Sequence, residues 1–227
     1  MILDRTIFHP QGGGQPNDEG FIKHRDHDFK FIVTNLLIKN DVIQHIGHFE
    51  PADGVTSFLK GSAVECHLDE AKRRLYARVH SAGHLLDIAM TRAGRPDLKP
   101  SKGFHFAAGA YVEYIGEVGE ADRKLLVENL NKIAKEIIEG TPAEQTVFKK
   151  ICSYDEANQH LAKAGGVPEY IPKGSDLRVL KLTEDDNGCP CGGTHVQHVS
   201  DIEELKITKI TKKGKAIRVA YVVKGAS

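Results

Sequence analysis

Short runs with apolar residues near alternate positions fill the N-terminal part of the chain: Thr6-Ile-Phe8, Gly20-Phe-Ile22, Phe29-Lys-Phe-Ile-Val33, Val42-Ile-Gln-His-Ile46 and Ala63-Val-Glu-Cys66. Turn formers separate them, at Gly12-Gly-Gly14, Asn40-Asp41 and Pro51-Ala-Asp-Gly54. Closely spaced strands of this kind predict a small β-barrel over residues 1–68. From Asp69 the period changes. Leu75, Val79, Leu85, Leu86 and Ile88 supply the apolar side of a helix that Asp69 caps and Gly94-Arg-Pro96 ends near Arg92. A second amphipathic helix is expected from Ala121 to Ile138, burying Leu125, Leu126, Leu130, Ile133 and Ile137. Strands at 104–106, 111–115, 145–148 and 178–182, a short helix from Tyr154 to Ala164 and a hairpin over about 204–223 complete an α+β domain over 69–227.

The composition changes this picture little. Hydrophobic residues at 40% and charged residues at 27% are ordinary for a globular chain and argue against disorder, collagen or coiled coil. Lys+Arg at 31 balance Asp+Glu at 31, so a polyanionic partner has to be met by a local patch rather than by the net field. Lys206 to Arg218 is such a patch: Lys206, Lys209, Lys212, Lys213, Lys215 and Arg218 follow one another with no acid between them. It reads as a phosphate-contact strip or as a solvated sheet edge. No apolar run approaches the roughly 20 residues of a membrane span, and the charged N-terminus does not read as a secretion signal. A cytoplasmic protein with no membrane partner is expected.

Histidine is over-used, with 12 copies, while only 4 cysteines occur. In a reducing compartment the cysteines are better explained by metal binding than by disulfides. His80 and His84 lie four apart on the first predicted helix, on one face. Cys191 and His195 repeat the spacing in a loop, Asn187-Gly-Cys-Pro-Cys-Gly-Gly-Thr-His195, where glycines free the backbone to turn both side chains inward. One thiolate and three imidazoles make a chemically sensible zinc set. Four ligands would close a tetrahedron, whereas a hydrolytic zinc needs an open position, so the spacing leaves structural and catalytic roles both open. Cys189 is expected to be turned elsewhere by Pro190 and His198 to face solvent. His24 with His27 and His45 with His48 read as polar surface pairs, and His9, His67 and His160 have no close partner in sequence. The run Phe8-His-Pro-Gln-Gly-Gly-Gly-Gln-Pro-Asn-Asp-Glu-Gly20 can bring backbone N–H groups close to a phosphate, a sugar or an ester, or can be simply a tight turn; it lacks the Lys-Ser/Thr of a nucleotide P-loop.

Taken together, Phe8 to Gly20, His80-Ser-Ala-Gly-His-Leu-Leu86 and Cys191-Gly-Gly-Thr-His-Val196 resemble the editing domain of alanyl-tRNA synthetase, and more closely the free-standing AlaX alanyl-tRNA editing proteins of the medium-length class. The resemblance extends to Lys102-Gly-Phe-His105 and Tyr111-Val-Glu-Tyr114. It implies an editing domain of the threonyl/alanyl-tRNA synthetase type, with zinc on His80, His84, Cys191 and His195. It implies a substrate, tRNA(Ala) mischarged with serine or glycine, deacylated in trans without ATP. Gly12, Gly13, Gly14 and Gln15, with Thr194, are expected to contact the substrate, His105 to transfer a proton and Lys102 to meet a phosphate. His9 stands where the family usually has a tyrosine, and no aminoacylation motif occurs, so no charging activity is expected. The rival expectations are a tRNA-binding module with a structural zinc, or editing of another mischarged tRNA such as the errors of threonyl-tRNA synthetase. A monomer is expected.

Overall fold

In the computed structural model, which describes residues 1–26, 28–52, 57–142 and 145–226, the chain is a mixed α/β protein with three antiparallel sheets. It divides into two compact units, Met1–Arg74 and Leu75 onward, each described by itself.

The first unit is a four-stranded sheet of order β3-β2-β1-β4, built from β1 (Gly20–His24), β2 (Lys30–Lys39), β3 (Val42–Glu50) and β4 (Val64–Leu68). Phe8, Ile22, Phe31, Val33 and Leu36 form its core. The expected barrel is corrected here: the sheet is open, with β3 and β4 as its two edges. Closure would require a further strand, and the expected one at 6–8 does not form; Ile2 alone bridges to Gln44 on β3. Asn40 and Asp41 do make the β2–β3 turn, with φ of 50° and 60°, the left-handed pair that matches hairpin twist. The turn expected at 51–54 and His27 fall partly or wholly outside the described residues. His45, expected at the surface, is buried: Thr6 Oγ1 lies 2.8 Å from its Nε2 and Met1 O 3.3 Å from its Nδ1.

The second unit is organised around α1 (Glu70–Arg92), whose first residues belong to the first unit. Asp69 Oδ1 accepts from Lys72 N at 3.0 Å, so the predicted cap is the cap, and Gly94 ends the helix at φ 77°. Next come β5 (Lys99–Phe104), β6 (Tyr111–Ile115) and α2 (Glu120–Gly140). They are followed by β7 (Phe148–Cys152), α3 (Tyr154–His160), β8 (Leu177–Lys181), the two-residue β9 (Cys189–Pro190), β10 (Leu205–Lys213) and β11 (Ala216–Val223). One sheet has the order β10-β11-β6-β5, the other β7-β8-β9. Val79, Leu85, Leu86, Leu130, Tyr114, Val219 and Tyr221 are among the residues of the main core.

Several boundaries move. The strand expected at 104–106 lies earlier, at Lys99–Phe104, and the one at 145–148 lies later, at Phe148–Cys152. The third helix stops at His160, followed by a short turn at Ala162–Ala164. Leu125 is 68% exposed rather than buried, because Leu126, Leu130, Ala134 and Ile137 already occupy the inward stripe and a neighbour one step away is rotated off it.

Candidate metal centre

Two different local structures deliver the donors. On α1 the four-residue spacing puts His80 and His84 on one face, their rings 5.0 Å apart. The second pair comes from the loop that follows β9, which is tied to β8 by Cys191 N to Arg178 O at 2.9 Å and by the Arg178 guanidinium, which donates to the carbonyls of Cys191 and Gly193. Ser81, inside the helical motif, closes the two segments together by accepting from Val196 N at 3.1 Å. The donor atoms of His80, His84, Cys191 and His195 then all lie within 4.8 Å of one another.

The donor set fits a bound cation on three observations. Cys191 Sγ stands 3.5 Å from both His80 Nε2 and His195 Nε2. That is the separation of about 3.5 Å that a sulfur and a nitrogen adopt around one tetrahedral zinc at ordinary bond lengths. His84 Nε2 is buried without a hydrogen-bond partner among the described residues. Burial also lowers the pKa of His84 to about 3 and of His195 to about 2, aided by neighbouring positive charge, so both imidazoles are neutral with lone pairs available for ligation. The same burial pushes the Cys191 thiol up, a cost that a cation relieves.

Cys189 is not turned away. Its Sγ lies 3.4 Å from His84 Nδ1, so it is outside the group of four but in contact with one member. Pro190 stiffens the segment without redirecting Cys189, since Leu180 on β8 pairs with it. The contact holds the His84 ring at its Nδ1. A cavity of about 310 Å³ opens on this side, lined by His84 and Cys189 and by Asp87, Tyr114 and Arg92. Tyr114 Oη donates to Asp87 at 2.5 Å, and burial raises that carboxyl to about 7. His198 is half-buried rather than solvent-facing and heads a short turn, its N–H bonded to Asp201 Oδ2 at 2.8 Å.

His105 is brought to the centre. It is 5% exposed, its ring stacked on His80 with centroids 4.4 Å apart. Tyr221 Oη donates to Val79 O at 2.9 Å, so it accepts from His105 Nδ1 at 2.7 Å and leaves Nε2 as the unprotonated nitrogen. Burial lowers His105 to about 4, which makes it a weak base at neutral pH. The ring is wedged between two glycines: a Cβ on Gly83 would sit 2.4 Å from His105 Cε1, and one on Gly103 2.2 Å from Nε2. Thr194 is half-buried next to His195 and Lys102 is exposed on β5.

In the first unit the glycine run folds as a tight turn. Gly12 N donates to Gln15 O at 3.2 Å and Gln15 N to Gly12 O at 2.9 Å, with Gly13 and Gly14 at φ 56° and 80°. The amides of Gly12 and Gln15 are therefore engaged within the turn, and Gln15 is fully buried. Buried Asp18 anchors the segment, accepting from His9 N and from Arg73 Nε at 2.8 Å. Neither Asp18 nor Arg73 had been singled out; an acid soon after a glycine turn is too common a pattern to mark them.

Residues 1–72 match the family model of class II (A) tRNA synthetases, and residues 177–218 match the threonyl and alanyl tRNA synthetase second additional domain. Both matched segments thus resemble synthetase-related domains. Over 220 residues the chain is 31% identical to the alanyl-tRNA editing protein AlaX-L of Pyrococcus horikoshii, covering 95% of this chain and 48% of that protein. It is 29% identical over 227 residues to AlaX-M of Methanosarcina barkeri, covering 97% and 87%. Against the alanine–tRNA ligase of Bdellovibrio bacteriovorus the match is 31% over 217 residues, 91% of this chain and 21% of the ligase. The chain thus spans about half the length of AlaX-L. Along nearly its whole length it is similar to proteins named for alanyl-tRNA editing. No helix among the described residues is long and apolar enough to cross a membrane.

Proposed function

We propose that this chain is a trans-editing deacylase: it hydrolyses the ester joining serine, and also glycine, to tRNA(Ala), with zinc held by His80, His84, Cys191 and His195. The observation that carries the reading is the convergence of those four donors in a chain that aligns along nearly its whole length with proteins named for alanyl-tRNA editing. The reaction has a physical rationale. A pocket shaped for alanine cannot strongly exclude a side chain that adds one hydroxyl, so a second sieve is needed, and a site that hydrogen-bonds the hydroxyl rejects alanine by as much as ~10⁴.

Bound zinc supplies a Lewis acid that polarises an ester carbonyl or a water. The chain's own residues do the rest. Ser81 and Arg178 hold the loop and helix in register, and Cys189 fixes the orientation of His84. His105, its Nδ1–H engaged by Tyr221, offers Nε2 as an acceptor that orients a water or the substrate amine. Thr194 presents a hydroxyl next to His195, and Lys102 a charge for a phosphate. The protein works as a monomer in the cytoplasm.

The test is catalytic amounts of protein with Ser-tRNA(Ala), Gly-tRNA(Ala) and Ala-tRNA(Ala), with and without a chelator. Chelator-sensitive loss of the serine and glycine esters with the alanine ester spared is expected. Loss of none of them above buffer overturns the reading. One observation favours a second reading, a tRNA-binding module with a structural metal: four protein donors within 4.8 Å of one another are enough to fill a structural zinc site. Multiple turnovers per protein molecule separate the two.

A further inference from the structure

The segment at the end of β5 that carries His105 towards the metal donors has a second side. Phe104 ends β5 and Phe106 lies just beyond it, both half-buried where His105 between them is buried. Their rings are stacked with centroids 4.5 Å apart and planes 13° apart. Phe104 stacks in turn on Tyr111 of β6, at 5.3 Å and 17°, and the Arg218 guanidinium of β11 lies 4.3 Å from the Tyr111 ring centre. Four planar groups thus form one continuous pile on the outside of the β10-β11-β6-β5 sheet, while Val112, Tyr114, Ile217, Val219 and Tyr221 point into the core. Beyond Phe104, Phe106 has no ring partner among the described residues.

The register surrounds this pile with positive charge. Phe104 pairs with Tyr111, Tyr111 with Ala220 and Ala220 with Lys209, so all four share the outer face. The neighbouring rows add Lys102 opposite Glu113 and Lys213 opposite Ala216. The acid on this face, Glu113, is neutralised by Arg218 Nε at 2.6 Å. Lys102, Lys209 and Lys213 are exposed and make no ion pair among the described residues. Aromatic planes framed by unpaired lysines are the combination that holds single-stranded nucleic acid, bases on the rings and phosphates on the ammonium groups. A charged strand edge kept only for solubility has no use for a half-exposed aromatic pile.

We propose that this outer sheet face binds an unpaired RNA 3′ segment, its bases continuing the pile at Phe106 and its phosphates meeting Lys102, Lys209 and Lys213. The identity of that RNA as the acceptor end of a tRNA rests on the editing reading above.

The experiment uses the full chain loaded with zinc and two uncharged RNA hairpins, one with a four-nucleotide single-stranded 3′ overhang and one blunt, followed by fluorescence anisotropy. The overhang hairpin should bind at least tenfold more tightly than the blunt one. Phe106→Leu should weaken overhang binding about tenfold, the usual scale for one base–ring stack, and Tyr111→Leu, which removes a ring supporting the pile, should weaken it less, both with metal content unchanged. The double variant Lys209→Gln/Lys213→Gln should lower the slope of log Kd against log salt by about 1.4, roughly 0.7 per phosphate contact on a single strand. Equal affinity for the two hairpins overturns the proposal. Where a ring variant fails to fold, the lysine pair decides, since both are exposed: an unchanged salt slope also overturns it. Overhang binding that depends on the rings in a protein without esterase activity would sink the editing reading alone. Unchanged KM for mischarged tRNA in well-folded ring variants would sink the RNA platform alone.

Discussion

Two clusters in the second unit bring metal-binding side chains within 4.8 Å of one another, His80, His84, Cys191 and His195 in one and Cys152, Glu156 and His160 in the other. They differ in who supplies the positive charge. In the second cluster Lys150 already does: its ammonium donates to Glu156 and holds that carboxyl below its ordinary range, and His160 Nε2 is 3.7 Å from the same oxygen. In the first, His84 Nε2 is buried with no hydrogen-bond partner among the described residues. Proximity of ligand types is therefore a weak criterion for a metal centre. Buried donors whose need the protein leaves unmet are a strong one.

The largest effect that tests this contrast is the loss of a donor. Cys191→Ser or His84→Ala should reduce bound zinc from about one per chain to a small fraction, and deacylation by at least about 100-fold, as read by elemental analysis and ester hydrolysis. Retained zinc in both would break the four-donor assignment. Cys189→Ala should keep the stoichiometry at saturating zinc while weakening affinity by about 10–100-fold, the usual result of removing an outer partner of a ligating imidazole; competition with a chromophoric chelator measures it. Loss as complete as in Cys191→Ser would make Cys189 a ligand.

Tyr221→Phe should destabilise the unit by about 1–3 kcal/mol in denaturant melts, because the Val79 carbonyl loses its donor and His105 Nδ1 its acceptor in a buried setting. A satisfied histidine in the other unit gives a smaller, pH-dependent effect. Burial lowers the His45 pKa below its ordinary 6.5, so the unfolded chain takes up the proton first. The stability tied to the neutral ring is fully present above about pH 6.5 and falls as the pH drops below it. Thermal melts of the first unit between pH 7.5 and 5 should therefore shift more in the wild type than in His45→Gln; identical shifts would assign the pH response to other groups. The smallest expectation is no change at all: Cys152→Ser should leave zinc content as it was. A fall in zinc would promote the second cluster to a site.

What could be read from the sequence was what local periodicity controls. The four-residue spacing on α1 and its repeat in the Cys191–His195 loop gave the convergence of donors, and Asp69 marked the start of the helix. Closure of the N-terminal sheet was not legible, because whether two edges meet depends on twist and on a strand at 6–8 that does not form. His45 and Cys189 were misplaced for a related reason: each is fixed by partners distant in sequence, Met1 and Thr6 for one and His84 for the other. The outer aromatic pile joins Phe104, Tyr111 and Arg218, three strands whose register no local pattern specifies.

Gly83, inside the His80–His84 motif, and His105, just beyond the end of β5, compete for one volume. A lineage that enlarges position 83 has to surrender the imidazole at 105 in the same step or earlier, and one that loses the imidazole is released to put alanine or a larger residue at 83. The two positions should exchange as a linked pair between relatives. A descendant with a bulky residue at 83 would then keep its four donors while managing its substrate through some other group.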